Sequence, residues 1–399
     1  MFHLFSLAFV FFVLLAVLVL THELGHFLVA CFLKVKVEEF GFGFPPRIIG
    51  IAKIKKEGKK SWMFLRKEKS FERMKKRMIS PLYSFNLIPL GGFVKILGED
   101  GENRNDPHSF ASQPVWKRFA ILVAGIVMNF ALGAFLFTLV FWIGTPEVIK
   151  DDDSVKDAKV QVMNVAPSSP AETAGIKVGD VIRSVVSPNN ERIGVEKIST
   201  VQEFSKKWAG QRVILEIMRG DDVYRMGLVP RENPPEGQGS IGMELTRVGI
   251  VKYSFLESLK RGPQRAFQLL EVMVFYLKDI LGKLIQVQKV QVDVSGPVGI
   301  VVLTNQMKEM GLPYLLQFAA IISINLAFMN FLPFPALDGG RILFLVLEKI
   351  KGRPVSAKIE GTAHAIGLYL LLFLMLLITF KDFSRFGDKF AMMWERITR

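Results

Sequence analysis

The stretch VLVLTHELGHFLVAC (residues 17–31) places His22, Glu23 and His26 inside an otherwise apolar run. Residues 4–33 carry no other charge, and as an α-helix they would extend about 45 Å. Because this length exceeds the hydrocarbon core of a bilayer, the run predicts a transmembrane helix. Ionisable side chains at that depth are costly to bury and usually serve a function, so these three residues need a chemical explanation.

Three further apolar runs lie near residues 119–143, 315–347 and 365–380, and polar residues interrupt the middle one. The chain of 399 residues is half hydrophobic, with a mean hydropathy of +0.32. Together these features predict about four transmembrane helices. The first run is too long for a cleavable signal peptide and lacks a small-residue cleavage site.

The net charge of +14 is unevenly distributed. Residues 34–118 hold 19 Lys/Arg against 9 Asp/Glu, whereas residues 144–313 hold 22 against 21. Since basic residues concentrate in cytoplasmic loops, the first region is predicted to be cytoplasmic, and the N-terminus and the second region extracytoplasmic. The basic run at 66–78 is then a topology determinant beside anionic headgroups. No stacking aromatics are interleaved with it, so nucleic acid is not an expected partner.

Between the apolar runs the chain alternates β-rich and helical patterns. Residues 37–56 and 84–99 mix β-branched, aromatic, Gly and Pro residues, which predicts short strands and tight turns at the membrane. A soluble module follows, with a strand at 159–165, a helix near 200–208 and a hairpin at 211–229 that the segment at 233–239 closes. Residues 254–290 have apolar positions at helical spacing, which favours an amphipathic helix lying on the membrane.

The histidines of the first run match a metal-binding pattern. His22 and His26 are four residues apart and share one helix face, where two imidazoles can bind one Zn²⁺. Glu23 is close enough to act on a water molecule at that metal. The alternative is an accidental match, but it leaves the desolvation cost of three polar groups unexplained. The single cysteine, Cys31, excludes an intramolecular disulfide and a cysteine cluster.

A catalytic zinc site needs a third protein ligand. Among the histidines His364 is the main candidate, since His3 lies at the far end of the first helix and His108 in a polar loop. Asp338, in NLAFMNFLPFPALDGGRI (residues 325–342), is the better candidate. Prolines break the helix before it, and exposed backbone at membrane depth must line a polar cavity or be buried in protein. The alternative is an Asp that caps a restarting helix with Arg341 as its partner.

The pair HELGH and NFLPFPALDGG resembles the site-2 protease family of intramembrane zinc metalloproteases, in its bacterial RseP-like branch. The resemblance extends over nearly the whole chain through five more segments: GFGFPP, IPLGGFVKILGE, VAPSSPAETAGIKVGDVI, VSGPVGI and LEKIKGRPVS. HExxH alone is only moderately specific. Combined with a distant NxxPxPxLDG motif, it is highly specific.

The resemblance implies a role for each matching residue. Zn²⁺ would be the cofactor, Glu23 the general base, and Asn330 a contact to the substrate or the oxyanion. Asn325 matches a second motif asparagine, although a hydrogen bond between helices is almost as good an explanation. A substrate strand would add to a β-hairpin edge near Gly41 and Gly43. The implied zinc ligands are His22, His26 and Asp338.

The implied fold is a polytopic α-helical membrane protein with about four transmembrane helices, a membrane-associated β-hairpin or re-entrant region and one extracytoplasmic PDZ domain. Two features depart from the branch: there is room for one PDZ domain rather than a tandem pair, and Arg341 replaces a histidine. The predicted segments are 1–33 (first span), 34–115 (cytoplasmic β-rich region), 116–145 (second span), 155–232 (PDZ domain), 250–312 (membrane-lying segment) and 315–399 (third and fourth spans).

The implied function is hydrolysis of peptide bonds within transmembrane segments, in a multi-pass protein of the bacterial inner membrane. Expected partners are the lipid bilayer and transmembrane substrates of the anti-sigma factor or remnant signal-peptide type. One alternative is a non-catalytic, metal-bound PDZ scaffold, which would not need Glu23. Another is a metal transporter, which would spread polar residues along several spans instead of gathering them at one level.

Overall fold

The computed structural model describes residues 2–56, 59–65, 78–151, 158–220, 222–235, 237–286 and 296–398. The basic run at 66–78 therefore lies outside the described residues apart from Met78. The chain forms two compact units. The first comprises Met1–Thr138, Lys260–Met307 and Leu316–Arg399, and the second comprises Leu139–Leu259 and Lys308–Leu315.

Nine helices and ten strands make up the described part of the chain. The helices are α1 (Phe2–Phe32), α2 (Val115–Ile143), α3 (Pro170–Thr173), α4 (Ile198–Lys207), α5 (Phe255–Ile285), α6 (Pro297–Met310), α7 (Leu312–Phe331), α8 (Asp338–Lys351) and α9 (Ala357–Thr398). The strands are β1 (Val37–Lys56), β2 (Lys59–Leu65), β3 (Leu82–Ile96), β4 (Thr145–Val148), β5 (Lys159–Val165), β6 (Val181–Val186), β7 (Arg192–Gly194), β8 (Val213–Arg219), β9 (Asp222–Leu228) and β10 (Met243–Val251).

Among the described residues, four helices are long and apolar enough to cross a membrane: Phe9–Phe32, Val115–Ile143, Leu312–Phe331 and Ala357–Asp382. This confirms the predicted number of spans. The third candidate span ends at Phe331, because Pro333 and Pro335 cannot donate the backbone hydrogen bonds that would continue it. The chain restarts at Asp338 as a separate amphipathic helix, α8.

In the first unit, strands β1, β2 and β3 form a sheet in the order β2–β1–β3. Both long strands bend, and β3 pairs with β1 through two segments. Gly41 is paired on one side with Phe93 and on the other with Ser84, while Gly50 also pairs with Ser84. The start of β3 therefore lies between the two halves of β1.

This register corrects the interpretation of GFGFPP as a hairpin with a free edge. The two halves of β1 are not paired with each other there, and Gly41 has a strand on both sides. Gly43 lies at the bend with φ +76°, a conformation that glycine adopts without strain. The strand of this sheet that lies against α1 is instead the second half of β3, at residues 92–96, since Val94 bonds to Glu23.

The second unit contains a sheet in the order β4–β10–β5–β6–β8–β9, with β7 paired to β6. Its core is formed by alternating apolar side chains, including Val160, Val162, Ile182, Leu215 and Ile217. The strand predicted at Lys159–Val165 and the hairpin of β8 and β9 are both present. The sheet continues past the predicted end of the module, because β10 pairs with β4 and β5 and extends the sheet to Val251.

Helix α5 is amphipathic and contains Pro263. Its residue Gly262 lies so close to Thr138 and Ala134 of α2 that a larger side chain would collide with them. The ring centroids of Phe130 and Phe267 are 4.8 Å apart. These contacts fix α5 against α2, while its position on a membrane surface remains a prediction.

Candidate active site

The two histidines of HELGH lie on one face of α1 and point their Nε2 atoms at the same place. These two nitrogens are 3.1 Å apart. Oδ2 of Asp338 lies 2.9 Å from Nε2 of His22 and 3.3 Å from Nε2 of His26. All three residues are largely buried. The structure thus brings the two imidazoles of α1 together with a carboxylate that lies more than 300 residues further along the chain.

Asp338 is the first residue of α8, and the loop before it folds back on itself. Gly339 and Gly340 pack against the carbonyl oxygens of Leu332 and Phe334, where a β-carbon would collide. Because the loop passes so close to its own backbone, the two glycines are needed to hold Asp338 at this depth.

His364 supports the same loop and does not join the triad. Its Nδ1 accepts a hydrogen bond of 2.8 Å from the backbone N–H of Ala336, which has φ +80°. One turn further along α9, Gly367 packs against the carbonyl of Pro335. Helix α9 therefore fixes the loop that carries Asp338.

Helix α2 lies along the other side of the two histidines. Nδ1 of His26 is 2.7 Å from the carbonyl oxygen of Ile121, which can only accept. That contact requires a proton on Nδ1, so in the neutral imidazole Nε2 carries the lone pair that faces the triad. One turn on, Gly125 packs directly against both rings. One turn further, Asn129 lies beside His22.

Glu23 is positioned by the sheet. Its Oε2 accepts a hydrogen bond of 3.0 Å from the backbone N–H of Val94 in β3. The residue as a whole is half-buried. It follows His22 directly in α1, so a carboxylate and the triad are held at the same level of the first span.

Arg341 does not partner Asp338. Its guanidinium pairs with Glu99, and in the same region Arg118 binds both carboxylate oxygens of Glu348, at 2.5 and 3.0 Å. These ion pairs connect α8 to α2 and to the turn after β3. The residue that departs from the family pattern thus anchors the helix that begins with Asp338.

The remaining predicted site residues lie on α7 and in the first sheet, and two further histidines lie elsewhere. Asn330 is half-buried in the last turn of α7, and Asn325 is exposed on the same helix. Gly41 and Gly43 lie in the sheet. His108 is exposed in a loop, with Nδ1 3.2 Å from the carbonyl of Lys34, and the side chain of His3 lies outside the described residues.

The donor set fits a zinc ion. With zinc–ligand bonds of about 2.0–2.1 Å, the ligand atoms of a tetrahedral site lie about 3.3 Å from one another. The three pairs here are 2.9, 3.1 and 3.3 Å apart. Three protein ligands of the His–His–Asp type leave one position open, as catalytic zinc sites do.

Sequence reasoning missed several groups that shape this site. Asn129 is a polar residue in the middle of an apolar span, and that signal alone could have singled it out. The carbonyl of Ile121 and the N–H of Val94 carry no signal in the sequence, because every residue has these backbone groups.

Comparison with known proteins gives a consistent assignment. The model of Peptidase family M50 matches residues 10–65 and 70–374. A Clostridium perfringens protein named as a zinc metalloprotease is 33% identical, covering 92% of this chain and 95% of its own. The regulator of sigma-E protease RseP of Escherichia coli is 28% identical, covering 94% and 98%. Zinc metalloprotease RasP of Geobacillus kaustophilus is 27% identical, covering 94% and 97%.

The chain therefore belongs to peptidase family M50, the site-2 proteases. It is an intramembrane zinc metalloprotease, as the resemblance in its motifs predicted. The alternative of a non-catalytic scaffold is not favoured.

Proposed function

We propose that His22, His26 and Asp338 hold the catalytic zinc, and that Glu23 is the general base of peptide hydrolysis. The observation that carries this proposal is the convergence of the three ligand atoms to within 3.3 Å of one another, beside the carboxylate of Glu23. When bound, zinc supplies a Lewis acid that polarises the scissile carbonyl and makes a water molecule more acidic.

Glu23 takes the proton of the attacking water and delivers it to the leaving amine. The N–H of Val94, bonded to Oε2, holds the carboxylate in one orientation and leaves Oε1 for the water. Asn330, eight residues before Asp338, is assigned to the oxyanion, because an amide N–H can donate to the charge that develops there. Asn325 is assigned a substrate contact on the exposed face of the same helix.

The substrate is a transmembrane helix that unwinds locally, since its own hydrogen bonds shield each peptide bond. We assign the freed backbone groups to residues 92–96 of β3, the sheet segment next to Glu23, instead of to Gly41 and Gly43. An apolar hollow of about 400 Å³ beside it is lined by side chains that include Leu20, Phe40, Phe42, Tyr83 and Phe85. Its lining suits the apolar side chains of such a segment.

The protein lies in the inner membrane of a bacterium, with residues 34–118 cytoplasmic and the second unit extracytoplasmic. The charge asymmetry supports this orientation. The strands of the second unit, together with the helices α3 and α4 between them, support its assignment as a PDZ domain. Anti-sigma factors and remnant signal peptides are the proposed substrates, since both leave an apolar helix in the membrane.

The test is cleavage of a single-span model substrate by purified protein in lipid vesicles. We expect zinc-dependent products whose ends map within the span by mass spectrometry. Glu23→Gln should retain one zinc per chain and lose about 10²–10⁴-fold in rate, because base and ligands are separate groups. His108→Ala is the matched control, a histidine away from the triad. Wild-type turnover in the Glu23→Gln protein would refute the assigned mechanism.

A further inference from the structure

Asn129 is a buried amide in contact with a proposed zinc ligand. It lies in α2 with 1% of its surface exposed. Its side-chain nitrogen is 3.3 Å from Nδ1 of His22. Its side-chain oxygen has no hydrogen-bond partner among the residues that the structure describes. An unpartnered polar atom at such depth is costly, so this amide needs an explanation.

The role of His22 as a proposed metal ligand explains why an amide lies here. For Nε2 of His22 to bind a metal it must carry a lone pair, so the ring proton must be on Nδ1. An N–H donor at Nδ1 would demand the opposite tautomer. The two ends of a carboxamide have nearly the same shape, and a half-turn about its last bond exchanges them. The turned amide gives its oxygen a donor and gives His22 the tautomer of a metal ligand, while its N–H groups take the place that the oxygen left, so the tautomer of His22 is what favours the turn.

A comparable contact to the other histidine lies about two turns earlier in α2. Ile121, Gly125 and Asn129 are spaced by four residues and share one face of α2. At one end of this face the Ile121 carbonyl fixes the tautomer of His26, and at the other end Asn129 meets His22. Both imidazoles are thus approached from α2 at Nδ1.

We propose that Asn129 is a positioning residue: its side-chain oxygen accepts the Nδ1–H of His22 and so directs Nε2 to the zinc. This role rests on the zinc site proposed above. Outer-shell partners of metal-bound histidines typically contribute 10–100-fold to metal affinity. Asn129 therefore controls how tightly the site holds its metal without binding the metal itself.

The experiment measures zinc dissociation constants of purified protein by competition with a chromophoric chelator. Asn129→Leu should weaken zinc binding about 10–100-fold. Asn129→Asp keeps an acceptor and should restore most of the affinity. Ser323→Ala is the matched control, because Ser323 donates a hydrogen bond of 2.7 Å to the backbone carbonyl of Asn129 and leaves the amide in place. It should bind zinc as wild type does.

A second readout needs no variant. In wild-type protein with ¹⁵N-labelled histidine, the zinc-loaded form should show His22 protonated at Nδ1. Equal affinity in Asn129→Leu, no rescue by Asn129→Asp, an equal loss in Ser323→Ala or zinc on Nδ1 of His22 would each overturn the inference. Failure of the wild type to bind zinc at all would instead refute the proposed function.

Discussion

Gly125 offers a direct test of the metal site, because the α-hydrogen that a side chain would replace faces both imidazoles. A β-carbon built at Gly125 lies 2.5 Å from Nε2 of His26 and 2.7 Å from Cε1 of His22. Ordinary van der Waals contact begins at 3.4 Å. In Gly125→Ala the rings must therefore retreat by about 0.7–0.9 Å, since the alternative is a strong overlap.

A zinc site does not tolerate such a shift, because its bond lengths hold to within about 0.2 Å. We expect Gly125→Ala to weaken zinc binding by at least the about 10–100-fold that loss of an outer-shell partner costs. The helix itself should not suffer, since alanine is favoured over glycine in helix interiors by about 1 kcal/mol. Loss of metal with retained helical content is the distinguishing result.

The assay combines metal analysis of purified protein with circular dichroism in the same detergent. Gly361→Ala is the matched control, a helical glycine of α9 with no atom within 4 Å of the added β-carbon. It should keep both zinc and helix. If Gly125→Ala binds one zinc per chain as tightly as wild type, the two rings do not converge as described, and the assignment of His22 and His26 as ligands fails.

Three further outcomes follow from the structure. Metal analysis should show Asp338→Ala without zinc and His364→Ala with zinc, because His364 bonds to the loop backbone; the reverse would exchange their roles. Product ends should map to the cytoplasmic half of the substrate span, and cleavage near its outer end would contradict the proposed topology. In the second unit, the hydroxyl of Ser184, with Arg225 and Arg192, holds the pKa of Glu216 below its ordinary value. The ionised Glu216 therefore stabilises the folded module at pH values above its pKa in the unfolded chain. This stabilisation is lost as the pH falls through the pKa of the folded state. Glu216→Gln should therefore flatten the acid dependence of hydrogen exchange in β8 and β9.

The spans and the proposed ligand set were predictable from sequence because each has a local pattern. An apolar run of sufficient length specifies a span, and HELGH specifies two ligands at helical spacing. Asp338 could be singled out because the prolines before it end α7. The sheet register could not be predicted, since β1 and β3 bend and pair through two segments each, and pairing between distant strands leaves no local signal.

The extent of the second unit shows the same limit. Strand β5 was predicted with its observed bounds, whereas β4 and β10 were missed. Both are short or irregular in sequence, and they are strands because each pairs with a partner about 100 residues away. Tertiary pairing, more than local propensity, makes them strands.

The pairing of β4 with β10 defines where the second unit's module can be cut out of the chain. Val148 is paired with Val248, and Thr145 with Val251. Residues 149–247 can therefore be replaced by an Asn-Gly turn, which closes two antiparallel strands with two residues. The deletion removes the rest of the module while keeping the ends of α2 and α5 joined through the same ladder.

The deletion should keep zinc and should still cut a pre-trimmed substrate, because His22, Glu23, His26 and Asp338 all lie in the first unit. We expect it also to cut a substrate with an intact extracytoplasmic domain, since the module would no longer limit access. Catalytically inactive Glu23→Gln in the same deletion controls for contaminating proteases. If the zinc-loaded deletion protein cuts only trimmed substrate, the module is not a size filter. If it cuts the trimmed substrate more slowly than wild type, the module recruits substrate, because removing a size filter would not slow the cleavage of substrates that already pass it.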